Sequence, residues 1–217
     1  MTEKISPNEL EKIIPFLLKG EVVGFPTETV YGLAVVYDNL NSFEKLQQVK
    51  KRAFDKPITT MVSSIEKIES LAIINDKIKK IIKKYMPGSI TIVLKAKKGL
   101  PYQVCLNHQT IGIRIPANKT ALDILKKVDK PLLVTSANIS TQKALKKAED
   151  VYELFKNKIG ALIYEDSDDS LASTVVDLSD DEPKLLRQGP ISFEEILKVW
   201  REEKWNYQLH QIMAEWN

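Results

Sequence analysis

The sequence has few of the residues from which metal centres and histidine-based catalytic sites are built. It contains one cysteine, Cys105, and two histidines, His108 and His210. A single thiol cannot form an intrachain disulfide and is typical of a reducing compartment, so we expect a cytoplasmic protein. Three such residues cannot complete a structural zinc site, and two histidines do not favour a histidine-based triad.

Long apolar runs and the common nucleotide-binding motifs are also missing. No run of 18 apolar residues occurs, which predicts no membrane association, and the N-terminal MTEKISPNEL lacks the pattern of a signal peptide. There is no GxxxxGK[ST], no GxGxxG after a strand, no GxSxG and no HExxH. These absences exclude the P-loop, the dinucleotide fingerprint, the hydrolase nucleophile elbow and the zinc-protease helix.

Charge is nearly balanced over the 217 residues but unevenly distributed. The formal net charge is +3, yet residues 76–98 hold eight lysines and one acid, and residues 165–182 hold eight acids and no base. We interpret most of these charges as solvated surface. The lysine stretch is also suited to attracting a polyanion.

Apolar periodicity predicts an α/β protein. Helical spacing predicts helices over 7–19, 64–73, 76–85, 118–127 and 148–157. Two more are predicted from their first residues: one begins after an N-cap at Asn41, and the last begins with a capping box of Ser192 and Glu195. β-Branched and apolar runs predict strands over 21–25, 32–37, 58–62, 90–95, 110–115, 131–136, 160–164, 173–178 and 184–187. Because strands and helices interleave without a linker, we expect a single domain around a twisted sheet. The acidic segment 165–172 is the best candidate for a mobile loop.

Short polar stretches stand at the ends of the predicted strands, where ligands collect in open α/β sheets. They are PTETVYG at 26–32, KKRAFDKP at 50–57, GIRIP at 112–116, TSANIS at 135–140, STVVDL at 173–178 and LLRQGPIS at 185–192. Each has a purely structural interpretation: a helix end for Lys50 and Arg52, solvent exposure for Arg114, a turn cap for Ser136 and Asn138. Together they supply directed donors suited to a polyphosphate.

These stretches, in this order, resemble the YrdC-like family of threonylcarbamoyl-AMP synthases in its short, single-domain form. The resemblance runs from about residue 8 to residue 198. It implies an α/β domain over 1–198, with a twisted open mixed sheet, flanking helices and a concave basic cavity. Residues 199–217 would form a C-terminal helical tail rather than a separate domain.

The resemblance also implies an activity. Family members join L-threonine, bicarbonate and ATP into threonylcarbamoyl-AMP and pyrophosphate, as nucleotidyltransferases that use Mg²⁺ with ATP. A threonylcarbamoyl-transferase complex then modifies the tRNA adenosine next to the anticodon. The implied partners are therefore these substrates and that complex or its tRNA, with RNA binding open and a monomer or homodimer as the assembly.

Site residues follow from the matching motifs. The threonine-binding set implied by the resemblance is Thr27, Tyr31, Arg114 and Ser173. The ATP-binding set is Lys50, Arg52, Phe54, Val134, Ser136, Asn138 and Arg187, of which Lys50 and Arg52 are also assigned to catalysis. No metal ligand and no general base is assigned. The sequence leaves Glu28 and Thr29 to sheet or turn hydrogen bonding.

The sequence departs from the family pattern at four positions. Ala53 replaces a usual proline, Met61 a frequent histidine, Ala172 a glutamate and Thr141 a glycine. The Met61 change indicates weaker threonine binding. Two alternatives stay open: a module that binds double-stranded RNA or tRNA without chemistry, and a paralogue of the same fold with another nucleotide-linked activity. Such paralogues lack the Lys-x-Arg and Ser-Ala-Asn pair that this chain keeps, which favours the synthase.

Overall fold

A single ten-stranded mixed sheet organises the part of the chain that the computed structural model describes, residues 1–168 and 170–202. The strands are β1 (Glu3–Ile5), β2 (Val23–Phe25), β3 (Gly32–Val36), β4 (Thr59–Met61), β5 (Ile90–Lys95), β6 (Thr110–Arg114), β7 (Leu132–Ser136), β8 (Ala161–Ile163), β9 (Thr174–Asp177) and β10 (Lys184–Arg187). Their order is β1-β8-β2-β3-β7-β4-β6-β5-β9-β10. Strand β8 pairs in parallel with β1 and with β2, β4 pairs in parallel with β6, and β5 with β9, while the other pairings are antiparallel.

The helices lie between these strands in the chain. They are a 3₁₀ helix (Pro7–Ile13), α1 (Ile14–Leu18), α2 (Leu40–Lys50), α3 (Ile65–Leu71), α4 (Asp76–Tyr85), α5 (Tyr102–Cys105), α6 (Lys119–Val128), α7 (Ala148–Phe155) and α8 (193–202). Side-chain oxygens begin five of them: Ser6, Asn39, Ser64, Asn75 and Asn118 each accept a backbone N–H two or three residues further along the chain. None of the helices in the described part of the chain is long and apolar enough to cross a bilayer.

The sheet separates two apolar cores, as strand geometry requires. Along β3, Leu33 and Val35 face one core and Ala34 and Val36 face the other. The first core is closed by α2, α3, α4, α5, α7 and α8, and the second by the 3₁₀ helix, α1 and α6. Helices on both faces of one mixed sheet confirm the predicted α/β fold class.

Local details differ from the predictions where short-range signals compete. The predicted helix over 7–19 is a 3₁₀ helix joined to α1, because Glu9 has a non-helical backbone at φ −126° and ψ 39°. Asn39, not Asn41, caps α2, with its side chain accepting from the Ser42 N–H at 3.0 Å. The predictions also missed β1 and α5. Strand β1 has three residues and pairs with β8, more than 150 residues away, so no local pattern marks it.

The predicted loop 165–172 and the predicted tail 199–217 lie only partly within the described residues. The loop 165–172, predicted to be mobile, is anchored at two residues. Asp166 Oδ1 accepts the Ala148 N–H. Ser167 Oγ accepts the Thr27 N–H, and the Ser167 N–H donates to the Lys146 carbonyl. Asp169 lies outside the described residues, as does 203–217 of the predicted tail. Helix α8 runs across the predicted boundary at 198, and Trp200 is buried in the first core. The boundary itself stays a prediction.

Candidate functional site

A polar cavity of about 380 Å³ opens where the turn between β2 and β3 meets the ends of β7 and β9. Its size lies within the range of small-molecule sites. Hydroxyls and guanidinium groups dominate the wall. The lining residues include Thr27, Thr29, Tyr31, Arg52, Thr59, Met61, Thr91, Arg114, Val134, Thr135, Ser136, Asn138, Ser173 and Arg187.

Thr27 closes the turn that follows β2. Its hydroxyl donates to the Val30 carbonyl at 2.7 Å and accepts the N–H groups of Thr29 and Val30 at 3.2 and 3.3 Å. Threonine suits this position because a hydroxyl can replace a backbone turn bond. Gly32, at the start of β3, packs closely on β7, because a Cβ there would stand 3.0 Å from Val134 Cγ1 and would push that side chain back. The turn thus places the Thr27 and Thr29 hydroxyls, 3.0 Å apart, at one end of the cavity.

Arg114 lies at the same end in a buried ion pair. Its Nη2 is 2.7 Å from Glu28 Oε1, and both Nη atoms donate to Thr29 Oγ1 at 3.2 Å. Its Nε donates to the Gly88 carbonyl at 3.1 Å. The solvent-exposed interpretation of Arg114 is therefore wrong, and so is the assignment of Glu28 and Thr29 to turn bonding alone. A carboxylate inside a buried stretch needs a cationic partner, and that requirement was the missed sequence signal.

Ser173 and Arg187 form a second polar group beside Arg114. Arg187 Nη2 donates to Ser173 Oγ at 3.0 Å and its Nε donates to the Ser173 carbonyl at 2.9 Å. Ser173 Oγ lies 3.0 Å from Thr91 Oγ1. Burial lowers the pKa of Arg187, and the nearby Arg114 charge lowers it further. An anion bound beside Arg187 would offset both effects.

Gly189 makes the Ser173 geometry possible. A Cβ at this position would lie 2.3 Å from both the Ala172 carbonyl oxygen and the Thr174 nitrogen, closer than any side chain permits. Its own N–H donates to Thr174 Oγ1 at 3.1 Å. The segment after β10 therefore packs directly on the backbone that carries Ser173.

Lys50 is the last residue of α2, and its side chain is 1% exposed. The ammonium donates to the Asn138 carbonyl at 2.9 Å, to Asn138 Oδ1 at 2.8 Å and to the Ser136 carbonyl. Burial, with the Arg52 charge, lowers the pKa of Lys50 to about 7. The three oxygen acceptors favour the charged form and act in the opposite direction. Lys50 thus lies behind the cavity wall rather than among its lining residues.

Ser136 and Asn138 form that wall. Asn138 Oδ1 accepts from Ser136 Oγ at 2.7 Å as well as from Lys50, and its Nδ2 donates to the Gln142 carbonyl at 2.7 Å. These bonds within the turn after β7 agree with the prediction that both residues cap that turn. Both also line the cavity, so their contact with a nucleotide stays a prediction.

Arg52 lines the cavity from the segment after α2. Its Nη2 donates to the Pro57 carbonyl at 3.0 Å, while its buried Nε has no protein partner among the described residues. Burial lowers the pKa of Arg52 and Asp55 opposes the shift, yet a guanidinium stays charged near neutral pH. Arg52 therefore contributes a third positive charge to the cavity.

Of the remaining predicted residues, Val134 and Tyr31 line the cavity and Phe54 does not. Val134 lines the cavity, as does Met61 at the position where the family pattern often has histidine. Tyr31 also lines it, but its buried hydroxyl donates to the Ile163 carbonyl, and burial raises its pKa well above the ordinary value. Phe54 is 51% exposed and is not one of the lining residues. The binding roles of these residues stay predictions.

Comparison with known proteins assigns the chain to a family. A family model for Sua5/YciO/YrdC proteins, described as Telomere recombination, matches residues 15–189. The chain belongs to the Sua5/YciO/YrdC family. Its relatives in this family include a threonylcarbamoyl-AMP synthase of Pyrococcus abyssi, 33% identical over 201 residues, which cover 91% of this chain and 58% of that protein. This chain thus spans less than two thirds of that relative.

A shorter family member and a solved structure agree with this assignment. The putative threonylcarbamoyl-AMP synthase of Methanocaldococcus jannaschii is 33% identical over 210 residues, covering 90% of this chain and 94% of that protein. The crystal structure of P. abyssi Sua5 complexed with L-threonine superimposes with a TM-score of 0.85 at 33% identity. That match covers 92% of this chain and 59% of the Sua5 chain.

Proposed function

We propose that the chain is a nucleotidyltransferase that makes threonylcarbamoyl-AMP and pyrophosphate from L-threonine, bicarbonate and ATP. The observation that carries the proposal is the joining, in one cavity, of a small hydroxyl-rich pocket with three guanidinium groups, those of Arg52, Arg114 and Arg187. The names of the family relatives support it. The crystal structure of the related Sua5 with L-threonine supports the amino-acid part.

The amino acid fits the end formed by Thr27, Thr29, Arg114 and Ser173. A zwitterion with a hydroxyl needs a positive group for its carboxylate and small polar partners for its amine and hydroxyl. Arg114 and Arg187 offer the positive charge, and the Ser173 hydroxyl lies within 3.0 Å of Arg187 Nη2. Because Glu28 and Thr29 fix the Arg114 guanidinium from two sides, its orientation is set before substrate binds.

The nucleotide fits the end formed by Arg52, Ser136 and Asn138, and the family resemblance adds Arg187, which lines the same cavity beside Ser173. Guanidinium groups bind phosphate oxygens through paired N–H donors, and Arg52 and Arg187 both line the cavity. In the described residues no group of three or more His, Cys, Asp or Glu side chains is placed to hold a metal ion. Mg²⁺ would enter the site with ATP, held by its phosphates, and would neutralise part of their charge.

The reaction needs positioning and charge neutralisation more than a nucleophilic side chain. The amine of threonine takes up bicarbonate, releasing water and leaving a carbamate. A carbamate oxygen attacks the α-phosphorus of ATP, the bond to the β-phosphate oxygen breaks, and pyrophosphate leaves. Arg52 and Arg187 stabilise the negative charge that develops on the phosphates. The product is a mixed anhydride whose threonylcarbamoyl group a transferase complex can pass to a tRNA adenosine.

The test is product formation with labelled bicarbonate. Threonine, ATP, Mg²⁺ and ¹³C-bicarbonate are incubated with the chain, and pyrophosphate and the nucleotide product are quantified by enzyme-coupled assay and mass spectrometry. We expect threonylcarbamoyl-AMP to carry one ¹³C and pyrophosphate release to stop when threonine is omitted. Pyrophosphate release that ignores threonine would refute the proposal in favour of a paralogue activity. Salt-sensitive binding of double-stranded RNA without pyrophosphate release would favour the RNA-binding alternative.

A further inference from the structure

We propose that Lys50 is a positioning residue, an internal cation that shapes the cavity wall at 136–140 and does not itself bind phosphate. The inference deepens the proposed function, because the wall it shapes is the proposed nucleotide site. It differs from the role that the family resemblance implies for Lys50, which is direct contact with ATP and a part in catalysis.

The geometry around the ammonium is that of a completed cation site. Three oxygens surround it, two from Asn138 and one from Ser136, and an ammonium has three hydrogens to donate. The backbone adds a fourth link in the reverse direction, since the Ser140 N–H donates to the Lys50 carbonyl at 2.8 Å. The end of α2 and the turn after β7 are thus tied together from both sides.

The same atoms set the orientation of the cavity wall. Asn138 Oδ1 accepts from Lys50 and from Ser136 Oγ, so the ammonium fixes which way the amide faces and where the Ser136 hydroxyl lies. Without the ammonium, three buried oxygens would lose a charged donor, a loss that proteins avoid by rearranging. The first consequence of removing Lys50 is therefore a changed wall.

Burial separates Lys50 from Arg52, although the two residues are neighbours in sequence. Arg52 lines the cavity, whereas Lys50 is 1% exposed, is not among the lining residues and has all three ammonium hydrogens matched by protein oxygens. A phosphate could reach Lys50 only by displacing carbonyl oxygens from it. Arg52 is consequently the phosphate ligand of this pair, and Lys50 acts through Ser136 and Asn138.

The experiment compares Lys50→Met with Lys51→Met in the full chain. Both variants remove one lysine charge, and Lys51 is exposed at the end of α2. Amide hydrogen exchange of peptides covering 136–142 is measured without ligand, and the Kd values of AMP and of MgATP are measured by calorimetry on folded protein. For Lys50→Met we expect faster exchange in this segment and a loss of affinity of about tenfold or more, of similar size for AMP and MgATP. Lys51→Met should change neither.

A direct phosphate contact gives a different result. The loss would then be much larger for MgATP than for AMP, with unchanged exchange, and that outcome overturns the inference. Unchanged affinity and exchange overturn it as well. The exchange measurement needs no nucleotide, so it judges the inference even if the chain proves to lack the proposed activity.

A measurement on the unaltered protein covers the case in which Lys50→Met does not fold. Reductive methylation with formaldehyde and a borohydride modifies accessible lysine amines, and mass spectrometry locates each modified residue. We expect Lys50 to resist methylation in the folded chain while Lys51 reacts, and to remain protected when excess MgATP is added. Methylation of Lys50 at the rate of Lys51, or protection that appears only with MgATP, would show an amine open to the cavity and overturn the inference.

Discussion

Glu28 Oε1 and Arg114 Nη2 lie 2.7 Å apart in an ion pair whose side chains are 11% and 5% exposed. Glu28 Oε1 also accepts the Ala117 N–H at 2.8 Å, which joins the turn after β2 to the segment before α6. One carboxylate therefore holds both the Arg114 guanidinium and the backbone of the segment before α6. A buried pair of this kind fixes geometry, because losing either partner leaves a charge without compensation.

Replacing Glu28 by Gln should weaken threonine binding without touching the ligand directly. The amide keeps one acceptor for Arg114 but loses the charge, so the guanidinium is held less firmly. We expect the Kd of threonine to rise about tenfold and the free energy of unfolding to fall by about 1–3 kcal/mol. Calorimetry and urea unfolding measure these, with Glu44→Gln on the exposed face of α2 as the matched charge control. Threonine affinity equal to that of the control would show that Arg114 needs no such support.

Replacing Arg52 by Ala should weaken MgATP binding and leave the fold intact. The Arg52 side chain makes one hydrogen bond within the described residues, to the Pro57 carbonyl. The bond from the Arg52 N–H to the Gln47 carbonyl is made by the backbone and would remain in the variant. We expect an affinity loss of about tenfold or more, as for a charge-assisted phosphate contact. Arg201→Ala, at an exposed position of α8, controls for the change in net charge. Equal MgATP affinity in the two variants, with normal circular dichroism, would make Arg52 a surface residue only.

Replacing Asn138 by Asp tests the wall from the cavity side. A carboxylate 2.8 Å from the Lys50 ammonium would pair with it, while the bond from Nδ2 to the Gln142 carbonyl would be lost. We expect these effects to offset in stability, leaving a melting temperature within a few degrees of the parent. Activity should fall strongly, because a negative charge then faces the polyphosphate and the Lys50 charge is neutralised. Melting temperature and pyrophosphate release are measured on one preparation, beside the exposed Asn157→Asp. Full activity at unchanged stability would remove Asn138 from the site.

The buried Lys50 predicts a stability difference that depends on pH. Its pKa of about 7 lies below the ordinary lysine value of 10.5, so between these pH values the unfolded chain binds a proton that the folded chain has released. The ammonium that shapes the wall at 136–140 is therefore fully present only below pH 7, where its burial costs the most stability, and stability relative to Lys50→Met should rise with pH across this window. Arg52 is the charged group that shifts the value, and the Ser136 and Asn138 oxygens on the opposite side are neutral. Urea unfolding of both proteins at pH 6.5, 7.5 and 8.5 measures the difference. A constant difference would show that the acceptors hold the ammonium charged throughout.

The sequence determined the fold class and the composition of the cavity. Nine of the ten strands in the described residues follow β-branched or apolar runs in the sequence, since strands buried on both faces have near-continuous apolar runs. Likewise, the polar stretches that interrupt these runs at strand ends supply most of the cavity wall, including Thr27, Arg114, Ser173 and Arg187. Those features are local, because a polar group after a buried strand stands out from its neighbours.

Only the tertiary structure decided which of these residues meet one another. Glu28 is 86 positions from Arg114 in the sequence, and Lys50 is 88 positions from Asn138, so no periodicity marks either pair. Burial also separates two possible roles for Lys50 at the end of α2. An exposed lysine there would be available to a ligand, whereas Lys50 is buried and donates to three protein oxygens. The strand order that sets β7 beside β3 and β4 brings the turn at 136–140 against the end of α2. The sequence contains each group, and the packing of distant elements fixes its partner and its exposure.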